Sequence, residues 1–320
     1  MRAEHHRVNV RIGLSEMLTN ERKNHWQLAI VLWGRLPIVV RGIIIGYVVL
    51  EVGGLPPALF LLGNLKFFPA VPWLLPATAL WLWLFWQYCN GKGWPSSTSQ
   101  ARRRDLRSRP LPARVWLWAI IAGGLAMVSV IALAFLTPRL AEIPRDAFKI
   151  SIDFSACPPW TLVSILLAIG AVAGVVEEAA FRGYMLSAIE RRHGWIAGIV
   201  VTGLMFFLVH HFSHAYATVA FLPFFLAVST LHGLLVYLTR SILPSIALHS
   251  VADFIVIPIQ YGIIGKPIVS SVWKEGIDTS FLIVLGLLVV FAAAAFPAFV
   301  HLSHVVCKKP LVLPVGSHPG

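Results

Sequence analysis

Residues 170–188 read GAVAGVVEEAAFRGYMLSA. They close an apolar run that begins near residue 160 and is long enough to cross about 30 Å of hydrocarbon. Glu177, Glu178 and Arg182 nevertheless stand inside it. An ionisable side chain at such depth is costly and marks function by default.

The surrounding chain has the same character. Of 320 residues 58% are apolar and only 12% are charged, with a mean hydropathy of +0.77. A soluble domain carries about twice that charge, so too little polar sequence exists to coat a water-facing surface. Further apolar stretches fall near 37–62, 69–89, 114–137, 194–213, 217–238, 241–260 and 280–306. The chain therefore reads as all-α, a polytopic membrane helix bundle of about eight transmembrane helices. The first is the weakest, because it contains Arg41 and Glu51. Disordered, collagenous and disulfide-scaffold classes are excluded. Cys89, Cys157 and Cys307 lie far apart with no C-x-x-C pair, which indicates neither a disulfide framework nor a thiolate metal site.

The formal charge of +12 could suggest nucleic acid, but the basic residues fall between apolar blocks rather than on one stripe. No nucleic-acid partner is expected. Residues 1–26 are polar and lack the apolar core of a signal peptide, so they read as a cytoplasmic tail. With that end inside, sixteen Lys and Arg fall in inside segments against six outside, the bias of cytoplasmic loops. The expected location is the cell membrane, multi-pass, with both termini cytoplasmic. The organisation follows as a tail (1–26), a variable transmembrane region of about three helices (27–150) with a basic loop (90–113), a core (151–260), and a last helix with a tail (261–320). The RRRDLRSR run at 102–109 reads as a topology determinant, and residues 91–99 as a flexible connector.

Three other spans carry polar residues. The fifth ends in GLMFFLVHHFSH with His210, His211 and His214, the sixth holds His232, and the seventh holds His249 and Asp253. With a turn at His193 and Gly194, Glu177 and His210 are equally far from it in sequence and share one level of an antiparallel hairpin, roughly 25 Å from the turn. His249 and Asp253, like Glu178 and Arg182, are four apart and share a helix face. Glu178 with Arg182 reads as an internal ion pair. Glu177 then faces His210, and a carboxylate beside an imidazole is a general base for water. Gly170 with Gly174, and Gly194 with Gly198, form G-x-x-x-G pairs suited to close helix packing.

At these residues the chain resembles the CAAX-protease and bacteriocin-processing (CPBP) family of intramembrane peptidases, which includes the eukaryotic prenyl-protein endopeptidase. E-E-x-x-x-R appears as Glu177 to Arg182, F-x-x-x-H as Phe206 to His210, and H-x-x-x-D as His249 to Asp253. Phe207 to His211 fits the second motif equally on spacing; His210 is preferred as level with Glu177. The resemblance covers about residues 160–256. It implies an intramembrane endopeptidase in which Glu177 and His210 activate water, His249 and Asp253 steady the oxyanion, and Glu178 and Arg182 support the site. An ionised Asp cannot donate to an oxyanion, so Asp253 is expected to orient a donating His249.

The implied partner is a membrane-associated protein or peptide, lipidated only by family analogy, together with the lipid bilayer. No cofactor is expected. The alternative is a zinc-dependent version of the same peptidase, with ligands drawn from His210, His214, His249 and Asp253 or Glu177. A different class of reading is a non-catalytic immunity or partner-binding membrane protein on the same fold. His232 is expected to be an interhelical hydrogen-bonder.

Overall fold

In a computed structural model of the chain, the described residues are 28, 31–143, 145–148, 152, 154–210, 214–263 and 271–307. The expected tails and His211 lie outside them. Residues 1–41 form one compact unit and residues 42–320 another; the elements below belong to the second, with α1 counted there from Gly42. The described residues are helical without a strand: α1 (Ile38–Phe67), α2 (Leu74–Cys89), α3 (Ser99–Leu106), α4 (Ala113–Leu140), α5 (Pro159–Val172), a wide π-helical segment (Ala173–Met185), α6 (Leu186–Val209), α7 (Ala215–Ala220), α8 (Leu222–Thr239), α9 (Leu243–Gln260), α10 (Val272–Glu275) and α11 (Thr279–Cys307).

Among the described residues six helices are long and apolar enough to cross a membrane, one of them the continuous run Pro159–Val209. The expectation of about eight differs for two physical reasons. At 16 residues α2 is short, and the 51-residue run counts once although Gly194, at φ 82° and ψ 168°, breaks its helical backbone. Gly194 thus supplies the expected turn. An added Cβ there meets nothing within 4 Å among the described residues, so it does not form a packing pair with Gly198.

Gly170 and Gly174 do pack. A Cβ on Gly174 would lie 2.0 Å from Ser250 Oγ and 2.8 Å from the Ile246 carbonyl, and one on Gly170 2.6 Å from the Ser250 carbonyl. Only hydrogen at both positions lets α9 approach this closely. In α1, Pro57 has no N–H to give the Gly53 carbonyl; Trp81 Nε1 of α2 donates to that oxygen instead, at 2.9 Å. Asn64, fully buried, fixes the α1–α2 turn by accepting from the Leu74 N–H at 3.0 Å and donating to the Phe68 carbonyl at 3.0 Å.

The segment expected to be a flexible connector is pinned. Arg102 donates to the Lys92 and Gly93 carbonyls and to Thr98, Ser99 Oγ donates to the Gly91 carbonyl, and Ser108 bonds Asn90. The basic run docks on the later helices as well. Leu106 is fully buried, the Ile242 N–H donates to the Arg107 carbonyl at 3.1 Å, and Ser241 Oγ donates to the Arg109 carbonyl at 2.7 Å. Glu190 binds both Arg107 and Arg240, at 2.7 and 2.8 Å.

Candidate active site

Three elements deliver the residues singled out by the motifs, and α8 adds His232. The π-helical segment carries Glu177, Glu178 and Arg182; α9 carries Ser245, His249 and Asp253; and α6 stops at His210, whose extended backbone (φ −101°, ψ 114°) ends the helix. π-helical winding recurs at functional sites. Here it spans both motif acids and the arginine.

One half of the cluster is sealed. Glu178 and Arg182 have no exposed side-chain surface and pair at 3.0 Å, the internal ion pair expected from their i, i+4 spacing. The same Glu178 oxygen lies 2.8 Å from His249 Nδ1, and its other oxygen accepts from Ser245 Oγ at 2.8 Å. Ser245 Oγ is in turn 2.6 Å from His232 Nδ1. The donors can be assigned from valence. An ionised carboxylate only accepts, so His249 Nδ1 carries a proton; the single Ser245 hydrogen goes to Glu178, so His232 Nδ1 donates to Ser245. His232 is the interhelical hydrogen-bonder expected of it.

The other half is open. The Glu177 side chain keeps 21% of its surface and Asp253 26%, against 6% for His249. His249 Nε2 is 3.8 Å from Glu177 Oε2 and 3.6 Å from Asp253 Oδ2. That Glu177 oxygen has no hydrogen-bond partner among the described residues. Glu177, His210 and Asp253 line a cavity of about 290 Å³. His210 and Asp253 also border a second, aromatic cavity of about 150 Å³, together with His232, His249, Phe225 and Tyr261. The ring of His210 is wedged between Phe206 and Phe225, with centroids 4.4 and 4.9 Å away. Its Nδ1 is 2.7 Å from the Phe206 carbonyl. A carbonyl accepts only, so Nδ1 is protonated and the neutral ring keeps a lone pair at Nε2.

The six residues singled out from the sequence thus share one neighbourhood, with two changes in detail. No hydrogen bond joins Glu177 to His210 among the described residues; they share a cavity, and the imidazole that comes within 4 Å of Glu177 among the described residues is that of His249. The bond that fixes the His249 ring comes from Glu178, not Asp253, which sits at the opposite ring nitrogen beyond hydrogen-bond distance.

His214 is exposed and 3.2 Å from Asp146, which differs from the zinc set that included it. The described residues whose donor atoms cluster within 4.8 Å are Glu178, His232 and His249. Both Glu178 oxygens and both Nδ1 atoms of those histidines are already committed to hydrogen bonds. These atoms form a hydrogen-bonded network, while the buried His232 Nε2 has no partner among the described residues.

Ser245 was missed in the sequence, although its spacing four residues before His249 puts it on the same helix face.

Residues 159–255 match the family model described as Type II CAAX prenyl endopeptidase Rce1-like. The matched stretch runs from α5 into α9 and leaves α1 to α4, α10 and α11 outside. No curated protein and no solved structure matches the chain. The match agrees with the resemblance read from the three motifs and supports a CAAX-type intramembrane endopeptidase.

Proposed function

We propose that this CAAX-type peptidase hydrolyses a peptide bond of a membrane-associated substrate with water activated by Glu177. The observation that carries the reading is the split between two adjacent acids. Glu178 is sealed and fully bonded, whereas the Glu177 side chain borders a cavity and keeps a buried oxygen with no donor among the described residues.

In the proposed sequence, a water in the larger cavity gives its proton to Glu177, with the His210 Nε2 lone pair as second acceptor, while its oxygen attacks the scissile carbonyl carbon. His249, carrying protons on both nitrogens and anchored through Nδ1 by Glu178, donates Nε2–H to the carbonyl oxygen as it becomes negative. Asp253 lies beside that nitrogen and balances its charge. The tetrahedral intermediate collapses as the C–N bond breaks, and the proton held by Glu177 passes to the leaving amine. A carboxylic acid and an amine are released. Arg182 offsets the charge of Glu178 and contacts the Phe206 face at 4.7 Å.

In this reading no metal takes part, the basic end of the bundle with Arg102, Arg103, Arg107 and Arg191 faces the cytoplasm, and the membrane is the cell membrane. The core of residues 151–260 performs the reaction.

The test is cleavage of a farnesyl-cysteine CAAX peptide in proteoliposomes, followed by mass spectrometry. Glu177→Gln is expected to lower the rate roughly a thousandfold with an unchanged thermal midpoint. A variant as active as wild type would defeat the proposal. Full loss of wild-type activity on chelation, restored by zinc, would favour the metal-dependent form.

A further inference from the structure

We infer that α1 and α2, which lie outside the family match, build the substrate-selecting wall of the Glu177 cavity: Gly54 sets the room for a substrate side chain, and the Thr78 hydroxyl holds the substrate backbone. The inference rests on the peptidase reading above and assigns specificity to residues that carry no part of its motifs.

The cavity of about 290 Å³ reaches from Glu177 to Gly54 and Ala58 on α1 and to Leu74 and Thr78 on α2. Each of these pairs is spaced by four, so one face of each helix is presented. The volume far exceeds the roughly 10–15 Å³ one water requires, so the space admits part of a peptide. Two adjacent glycines divide the labour. A Cβ on Gly53 would lie 2.5 Å from Val176, whereas a Cβ on Gly54 meets nothing within 4 Å among the described residues. Gly53 is therefore small for packing. Gly54 borders open space and has no packing reason to be small.

Thr78 gives a second, independent indication. It is 1% exposed, and its Oγ1 has no partner among the described residues. A buried helical threonine ordinarily donates to the carbonyl one turn back, as Thr137, Thr202 and Thr239 do here at 2.7–2.8 Å. Thr78 forgoes that bond on a wall shared with Glu177, whose Oε2 also has no donor among the described residues. Leaving buried polar groups unpaired is expensive unless a ligand supplies the partner. An extended peptide does so, because every residue offers an N–H and a carbonyl. A peptide with its scissile carbonyl at His249 would lay a flanking residue against Gly54 and Ala58 and a backbone group against Thr78.

The experiment uses the full chain in proteoliposomes and a library of farnesyl-cysteine peptides in which each residue flanking the scissile bond is varied through Gly, Leu and Phe. Wild type is compared with Gly54→Leu, Thr78→Val, Thr78→Ser, Glu177→Gln and a control, Gly286→Leu, placed at an exposed glycine of α11 with equally open surroundings. Gly54→Leu is expected to lower kcat/KM for Leu and Phe at one library position about tenfold relative to Gly. Thr78→Val should raise KM about tenfold at nearly constant kcat, and Thr78→Ser should restore it. Gly286→Leu should match wild type. Equal effects of Gly54→Leu on every peptide, or an unchanged KM in Thr78→Val, would overturn the inference while leaving the peptidase reading intact. Equal cleavage by wild type and Glu177→Gln would instead remove the reading itself.

Discussion

The stretch from α5 to α9 and the stretch from α1 to α4 are both apolar helices, yet they treat polarity in opposite ways. In the first, Glu178, Arg182, His232 and His249 are buried deep in the bundle and hold one another. In the second, the buried polar groups within the long helices are mainly small and neutral, such as Asn64, Thr78 and Ser129, while Arg102 lies in the short polar helix α3 and Arg139 at the end of α4. The contrast separates two tasks. Assembling a hydrolytic site needs charges that organise each other; shaping a cavity needs only volume and an occasional hydroxyl.

The largest expected effect breaks the charged network. Glu178→Ala leaves Arg182 buried at 0% exposure without its carboxylate, an arrangement that costs about 3–5 kcal/mol. The thermal midpoint in detergent should fall on the order of 10 °C, and cleavage should vanish with it because His249 loses its anchor. Glu177→Gln should lose cleavage alone. If the neighbouring acids gave the same stability loss, the division into a sealed and an open carboxylate would be wrong.

A smaller effect tests packing with one kind of substitution in both regions. Gly174→Ala places a methyl against Ser250 and the Ile246 backbone, and overpacking of that kind costs about 1–3 kcal/mol. It also pushes α9, and so His249, away from Glu178. A lowered midpoint with lowered kcat is expected, whereas Gly54→Leu on α1 should leave the midpoint near wild type. A Gly174→Ala protein with wild-type midpoint and kcat would show that α9 has slack, and that the site does not depend on the close approach.

These outcomes bear on how much the sequence discloses. The charged half of the site is legible because Glu177, Glu178, Arg182, His210, His249 and Asp253 interrupt apolar runs, where an ionisable group has few explanations. Helix spacing then pairs Glu178 with Arg182 before any coordinates are known. The direct partner of His249 Nδ1 was not legible, because Glu178 lies 71 positions away on another element. Nor was the π-helical winding from Ala173 to Met185, since the same small and apolar residues suit an α-helix. Thr78 and Gly54 give no local signal at all: a threonine or glycine in an apolar helix is ordinary, and only its neighbours reveal an open cavity. The connector at 91–99 was misjudged because Gly, Pro and Ser signal turns whether or not an arginine such as Arg102 later gathers their carbonyls.

The smallest effect concerns an end of the bundle far from either task in sequence. Arg139, 2% exposed at the end of α4, forms a two-pronged contact with Asp278 at 3.0 and 2.9 Å, and Asp278 also caps α11 by accepting from the Phe281 N–H at 2.7 Å. Hydrogen bonds from Arg139, then from Phe281 and Ser280, hold the Asp278 carboxyl below the usual carboxylate range. In the interval between its unfolded value, about 4, and its lower folded value, the unfolded chain binds the extra proton. Stability therefore rises with pH there. The contribution is complete above the unfolded value and is lost as pH falls through the folded one. Because nearly half of the Asp278 side chain is exposed, solvent and salt screen the pair, which makes the effect modest. Asp278→Asn should lower the midpoint slightly at pH 7 and flatten its decline below about pH 4; coincident pH curves for the two proteins would show that the clamp adds nothing to the stability of the bundle.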